Sequence, residues 1–384
     1  VFDEWDFIFH RPFVSQQDKA DYIDFLSNLL KGKAYVSLAY MTGILPIAKY
    51  SSGSELNMFL EYMMATREKF SEYFGFTEAE VDDLYQRYLD IEKLPKVSRE
   101  GLRLWYDGYR TASGAKIYNP RSVVGALSDN QLGSYWTSSG PYDEIFYYVG
   151  ANVDAVRENL AIMVSGTPVS AKVQEYAATS MKLTTRDEIL SAMVVYGFLT
   201  YGEGKVSIPN RELMEKYNDM LLKEPSLGYV NRLARISGEM LRATLEADTD
   251  KMAEILEFAH NTETPLLAYN HETELTAIVA LVYLAARDSY RIEREDKAGI
   301  GYVDFIFYPE TDRGADCIIL ELKVEGGPDD ALRQIIDRKY ALKFDGRLGE
   351  SPRYTGRILG VGIAYDRDTK AHSCKVVVLR KALG

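Results

Sequence analysis

Two apolar segments near the C-terminal end constrain the fold of this chain most. Residues 301–305 read Gly-Tyr-Val-Asp-Phe, and residues 318–323 read Ile-Ile-Leu-Glu-Leu-Lys. β-branched and aromatic residues dominate both segments, which is typical of strands. Pro309 and Gly314 lie between them and predict a turn. We therefore expect the two segments to pair as a hairpin.

This pairing predicts a cluster of three charged side chains. Because side chains alternate across a strand, Glu321 and Lys323 share one face, and Asp304 of the first strand can lie beside Glu321. Two carboxylates suit a hard cation such as Mg²⁺ or Mn²⁺. A neighbouring lysine can hold a phosphate or steady an attacking hydroxide. From these residues alone, a hairpin with a solvated charged face remains an alternative.

The ordered set Glu272, Asp304, Glu321, Lys323 and Gln334, in its helix-strand-strand-helix context, resembles the PD-(D/E)XK nuclease superfamily. The resemblance implies that Asp304 and Glu321 bind the metal. It also implies that Lys323 is catalytic, that Glu272 completes the site through water, and that Gln334 positions Lys323 or the phosphate. The closing strands predicted around residues 361–375 look like those of a bacterial branch that couples this domain to an ATPase-like domain.

The N-terminal end carries a second, shorter pattern. Asp3 and Glu4 follow an apolar start and resemble a Walker B motif, in which the Asp holds the nucleotide's Mg²⁺ and the Glu activates water. Residues 19–31 have helical periodicity, and residues 34–40 are an apolar run that predicts a buried strand. Thr42 follows that run, at the place of a γ-phosphate sensor. An acidic terminus and an ordinary strand-end threonine remain alternatives.

The resemblance to AAA-ATPases lacks one essential part. The chain has no G-x-x-x-x-G-K-[ST] loop to surround phosphates. In the family this loop precedes the Walker B strand, and the sequence begins at that strand. We therefore expect a fragment of an ATPase-like domain that binds ATP only in the full-length protein.

The middle of the chain predicts a helix, a hairpin and a second helix. Thr185 can cap a helix over residues 186–196, residues 198–201 and 205–208 can pair, and Pro209 starts the next helix. This order suggests a winged-helix-like unit. Its acidic side chains disfavour phosphate contacts, so a packing role between domains is the favoured interpretation.

Together these patterns predict an α/β protein of three parts. Residues 1–160 are expected to be the C-terminal part of a P-loop, AAA-ATPase-like domain, and residues 161–262 a winged-helix-like helical linker. Residues 263–384 are expected to form an α/β restriction-endonuclease-like domain with a mixed sheet. Thr77 with Glu80 predicts a capped helix within the first part.

The composition of the 384 residues is that of a globular protein, with 46% hydrophobic and 27% charged residues. No apolar stretch is long enough for a membrane span, and two cysteines are too few for a disulfide framework, so we expect a cytoplasmic protein without a membrane partner. The net charge of −12 opposes bulk attraction to nucleic acid, yet residues 333–381 hold twelve Lys and Arg against five Asp and Glu. A phosphate backbone could pass there, although a solvated basic surface is an alternative.

The combined interpretation is an ATPase-coupled, metal-dependent nuclease whose partner is nucleic acid, DNA in particular. An ATP-dependent sensor or scaffold that binds nucleic acid or protein without cleavage is the alternative from another class. A pure NTPase with a structural C-terminal domain is a third. The oligomeric state is left open, with a homo-oligomer among the options.

Overall fold

A computed structural model of the chain describes residues 1–10, 13–44, 56–136, 149–150, 152–173, 183, 185–261, 272–298, 301–310, 312–344 and 354–383. These residues form two compact units. One comprises residues 1–156 and 168–216, and the other comprises residues 157–167 and 217–384. No helix in the described residues is long and apolar enough to cross a membrane.

The regular elements of the described residues are labelled in chain order. The α-helices are α1 Gln16–Leu30, α2 Glu78–Ile91, α3 Arg99–Tyr106, α4 Pro120–Asp129, α5 Val153–Val164, α6 Arg186–Val195, α7 Arg211–Lys223, α8 Tyr229–Glu246, α9 Thr249–Asn261, α10 Glu272–Val282 and α11 Pro328–Asp337. The strands are β1 Tyr109–Arg110, β2 Lys116–Ile117, β3 Val169–Ser170, β4 Thr200–Gly202, β5 Lys205–Ser207, β6 Tyr290–Ala298, β7 Gly301–Pro309, β8 Cys317–Val324, β9 Ile358–Tyr365 and β10 His372–Arg380.

Helix starts follow the side-chain caps that the sequence predicts. Thr77 and Glu80 form the predicted capping box at the start of α2, and the Thr77 backbone N–H donates to the Glu80 carboxylate at 2.8 Å. Thr185 caps α6 as predicted. Helix α1 begins before residue 19 because Ser15 caps it together with Asp18. These caps satisfy backbone N–H groups that have no partner within the helix.

The predicted buried strand over residues 34–40 is wrong. No regular strand lies there, and Tyr35, Leu38 and Tyr40 are 70%, 85% and 60% exposed. A single parallel bridge joins Phe2 to Met41 just after the run. Apolar composition indicates a buried strand only where neighbouring strands pair with it, and the described residues provide no such ladder here.

The predicted helix-hairpin-helix order is present between residues 186 and 223. Strands β4 and β5 pair antiparallel between α6 and α7, and β3 adds a third strand on the other edge of β5. The order agrees with the sequence pattern, while the winged-helix interpretation stays a prediction.

The C-terminal unit contains a five-stranded mixed sheet with the strand order β10-β9-β8-β7-β6. All neighbouring pairs are antiparallel except β8 and β9, which are parallel and are connected through α11. Every residue of β9 and the first six of β8 are buried, as expected for central strands covered on both faces. The mixed α/β architecture expected for this part of the chain is therefore confirmed, and β8 is its middle strand.

Helix α11 packs on this sheet through its apolar side. One buried cluster contains Leu332 and Ile335 of the helix together with Ile306 of β7 and Ile319 of β8. Residues three apart share one face of a helix, and alternate residues share one face of a strand, so these side chains can meet between α11 and the sheet. The helix is thereby fixed beside the end of β8 that carries the charged residues.

Candidate active site

Asp304 lies where the pairing of β7 with β8 ends. The ladder runs from Phe307 opposite Ile318 to Phe305 opposite Leu320. At the next position the Asp304 carboxylate accepts a hydrogen bond from the backbone N–H of Leu322, at 2.7 Å. The side chain thus takes the place of a backbone acceptor, and this contact fixes the carboxylate beside β8.

Glu321 lies on the middle strand and is only 3% exposed. Its Oε2 atom is buried and has no hydrogen-bond partner. A buried carboxylate oxygen without a partner is costly, so it indicates either a proton or an absent ligand. The alternative of a hairpin with a solvated charged face is therefore wrong for this residue.

Gln334 of α11 connects the two charged residues of β8. Its amide nitrogen donates a short hydrogen bond to Oε1 of Glu321, and its amide oxygen accepts from Nζ of Lys323 at 2.7 Å. The Lys323 ammonium also lies 3.7 Å from Oε1 of Glu321. One amide therefore holds Oε1 and the ammonium, while Oε2 remains available on the other side of the carboxyl group.

The backbone between β8 and α11 brings Gln334 into position. Gly326 has φ +97°, in the left-handed region that glycine favours, and Pro328 opens the helix at a position where no N–H is needed. Gly362 of β9 is the register partner of Glu321, and a Cβ there would lie 2.3 Å from the backbone oxygen of Pro328. Only glycine therefore lets the helix start this close to the sheet.

Burial, together with the nearby Asp304 carboxylate, raises the pKa of the Glu321 carboxyl to about 8. Lys323 and Arg338 oppose this effect through their positive charge. The sequence predicts a raised pKa for at least one carboxyl of the pair through mutual repulsion. The direction agrees for Glu321, but removal from water is the larger cause.

The residues present fit a hard divalent cation. Two carboxylates lie close together on the same sheet, and one oxygen of Glu321 lacks a partner. Within the described residues, no three His, Cys, Asp or Glu side chains surround one point that could hold a metal ion. Mg²⁺ is commonly bound by one or two protein carboxylates and several waters, so a pair of ligands suffices.

The other sequence-predicted residues fall in two places. Glu272 begins α10, but its side chain lies outside the described residues, so its role stays a prediction. Asp3, Glu4 and Thr42 come together at the N-terminal bridge: the Thr42 hydroxyl donates a short hydrogen bond to Asp3 and accepts one from the Glu4 backbone N–H at 3.2 Å.

Two parts of the site were not foreseen from the sequence. One is the backbone N–H of Leu322, which orients Asp304, and the other is Gly362. A glycine within an apolar strand is a signal for close approach of another backbone, and Gly362 carries that signal. The Leu322 contact has no sequence signal, because any residue could supply it.

Comparison with known proteins agrees with this geometry. Residues 272–370 match the family model described as "PD-(D/E)XK nuclease superfamily", and this match supports a domain of that superfamily in this part of the chain. A protein of Azotobacter chroococcum mcd 1, described as "Uncharacterized protein in vnfD 5'region", is 24% identical over 222 residues. The similarity covers 55% of this chain and 39% of the relative. No solved structure matches significantly.

Proposed function

We propose that the C-terminal domain hydrolyses phosphodiester bonds of nucleic acid, DNA in the first place, with Mg²⁺ or Mn²⁺ held by Asp304 and Glu321. The match to the superfamily supports a nuclease-like function for residues 272–370. The observation that carries the proposal is the buried Glu321 carboxyl, with one oxygen held by Gln334 and the other without a partner.

Each side chain has a separate role in this proposal. Asp304 and Glu321 supply oxygen ligands, and Gln334 orients Glu321 so that Oε2 faces the cation. Lys323 lies on the same strand face and stabilises negative charge that develops on the phosphate. Glu272 is assigned a contact through water. When bound, the cation supplies Lewis-acid polarisation of a phosphoryl oxygen and makes water more acidic.

Thermal unfolding with and without Mg²⁺ or Mn²⁺ tests the metal site, alongside cleavage of plasmid, single-stranded DNA and RNA. A cation that binds only the folded protein raises its stability, by about 2.7 kcal/mol at 100 times the dissociation constant. Asp304→Ala should abolish this gain and the cleavage. Asp304→Asn is the matched variant, because its amide oxygen can still accept from Leu322 while the charge is lost.

The alternative is a scaffold that binds without cutting. It predicts no cleavage of any substrate and no stabilisation by either cation in the unmutated protein. Stabilisation without cleavage would retain the metal site and contradict the nuclease assignment. Cleavage that survives Asp304→Asn would contradict the assigned ligands.

We further propose that the N-terminal part is ATPase-like and coupled to the nuclease domain. The support is the meeting of Asp3, Glu4 and Thr42, the three residues that the Walker B and sensor resemblance selects. Calorimetric titration of the protein with Mg-ATP tests this assignment. Binding heat that is unchanged by Asp3→Ala would contradict it.

A further inference from the structure

Arg338 lies one helical turn beyond Gln334, at the end of α11. Its backbone N–H donates to the Gln334 backbone oxygen at 3.1 Å, which is the hydrogen bond of an α-helical turn. Residues four apart lie on the same face of a helix. Gln334 contacts Glu321 and Lys323, so the Arg338 side chain leaves the helix on the side of the active site.

The Arg338 side chain is exposed, so its guanidinium can reach a ligand from the solvent.

Several other basic residues that follow β8 already have acidic partners. Arg333 pairs with Asp330 at 3.2 Å, and Lys375 pairs with Asp329 at 2.5 Å. Arg357 and Arg367 also form ion pairs, with Asp316 and Glu325 respectively. Among the described residues, by contrast, no carboxylate forms an ion pair with Arg338.

We infer that Arg338 binds a phosphate of the substrate strand next to the scissile one. This inference rests on the proposed nuclease function. Lys323 and the two carboxylates occupy the reacting position, and Arg338 is displaced from Gln334 by about 6 Å along the helix axis. A guanidinium suits this role because its planar fork of donors matches two phosphate oxygens, and it remains charged at every physiological pH.

The experiment compares Arg338→Ala with Arg333→Ala, which removes the same charge from another face of the same helix. Binding of a labelled DNA duplex is measured in EDTA over a range of salt concentrations. Single-turnover cleavage is measured with Mg²⁺ and with the protein in saturating excess over the DNA. Arg338→Lys keeps the charge and loses the planar fork.

Arg338→Ala should weaken binding about 10-fold or more, as expected for loss of a charge-assisted hydrogen bond. It should also make the slope of log K against log salt less steep by about 0.9, which is the contribution of one phosphate contact on duplex DNA. Arg338→Lys should keep the slope and lose part of the affinity. Arg333→Ala should change neither quantity, and all three variants should unfold at the same temperature as the unmutated protein.

Equal losses for Arg338→Ala and Arg333→Ala would overturn the inference, since they would indicate a diffuse basic surface. A slower single-turnover rate with unchanged affinity would overturn the assignment to a neighbouring phosphate. If the unmutated protein neither binds nor cuts any nucleic acid, the proposed function itself fails. If the unmutated protein and Arg338→Ala cleave at the same rate and bind DNA with equal affinity, the inference about Arg338 is wrong while the proposed function stands.

Discussion

The N-terminal bridge and β8 each bring a carboxylate to a second polar group, and the two places differ in what surrounds them. At the N-terminal bridge, Asp3 is exposed and its partner Thr42 lies on a segment joined by one bridge to Phe2. On β8, Glu321 is buried in the middle of a five-stranded sheet. Water can solvate the charge of an exposed carboxylate. A buried carboxylate instead needs a proton, a hydrogen-bond partner or a cation.

The largest effect is expected for Lys323→Ala. Removing an ammonium that stabilises developing charge should lower the single-turnover cleavage rate about 100- to 1,000-fold. The stabilisation by Mg²⁺ should remain, because Lys323 is assigned to the phosphate and not to the cation. Thermal unfolding and cleavage assays measure the two quantities, with Arg333→Ala as a charge-matched control. Loss of the Mg²⁺ effect together with the rate would show that Lys323 shapes the metal site itself.

The second prediction concerns pH and the raised pKa of Glu321, about 8 in the folded protein against an ordinary value of 4.5. The folded protein therefore holds this proton more tightly than the unfolded chain. The contribution of this proton to the free energy of unfolding is fully present below about pH 4.5. It is lost as the pH rises towards 8, by at most about 1.4 kcal/mol for each pH unit.

Urea unfolding in EDTA measures this loss against Glu321→Gln, which cannot ionise and in which the other titrating groups are unchanged. The free energies of unfolding of the two proteins should diverge between pH 5 and pH 8. Saturating Mg²⁺ should reduce the loss in the unmutated protein, because the cation favours the ionised carboxylate. Parallel pH profiles in EDTA would show that Glu321 ionises normally.

A smaller effect is expected where β9 meets the start of α11. Gly362→Ala places a methyl group 2.3 Å from the Pro328 oxygen, so the helix must shift, and overpacking of this kind costs about 1–3 kcal/mol. Gly360→Ala is the matched control on the same strand, because its nearest neighbour is the Leu379 side chain at 3.1 Å, which can move.

Cleavage separates the packing effect from the effect on the site. Since the shift also displaces Gln334, Gly362→Ala should slow single-turnover cleavage at a temperature where it is still folded. Gly360→Ala should cleave at the normal rate. Equal rates for the two variants would mean that the start of α11 does not determine the position of Gln334.

The smallest effect is expected at the N-terminal bridge. Thr42→Ala removes the hydroxyl that joins Asp3 and Glu4, and exposed hydrogen bonds contribute less than about 1 kcal/mol. Thr42→Ser keeps the hydroxyl and serves as control. Chemical unfolding measures both. A loss as large as that of Gly362→Ala would remove the contrast between the two places, because it would show the bridge to be as tightly organised as the sheet.

The sequence predicted the strands of the C-terminal sheet best where apolar residues alternate with a few charged ones. That alternation placed Glu321 and Lys323 on one face and Asp304 on the neighbouring strand, as the structure has them. It did not reveal β6, whose segment reads Tyr-Arg-Ile-Glu-Arg-Glu-Asp-Lys-Ala. An edge strand has one free side and carries charges readily, so its sequence resembles a loop.

The wrong strand prediction over residues 34–40 and the burial of Glu321 have a common physical origin. The run over residues 34–40 is as apolar as a central strand, yet its large side chains are exposed. Glu321, a residue type usually found at the surface, is buried. In both cases burial depends on segments that are distant along the chain. Local composition therefore indicates which residues prefer an apolar environment, but not which of them the folded chain encloses.

The position of β8 in the middle of the sheet has a further consequence, for the motions that the reactive groups undergo. Fraying begins at edges and termini, and the amides of a strand inside the sheet exchange with solvent only when its pairing with the neighbouring strand opens. Hydrogen exchange at Glu321 and Lys323 should accordingly report separation of β8 from β9 rather than opening of a loop. Substrate must then find these two groups already in place, and adaptation to different substrates is left to the segments around them.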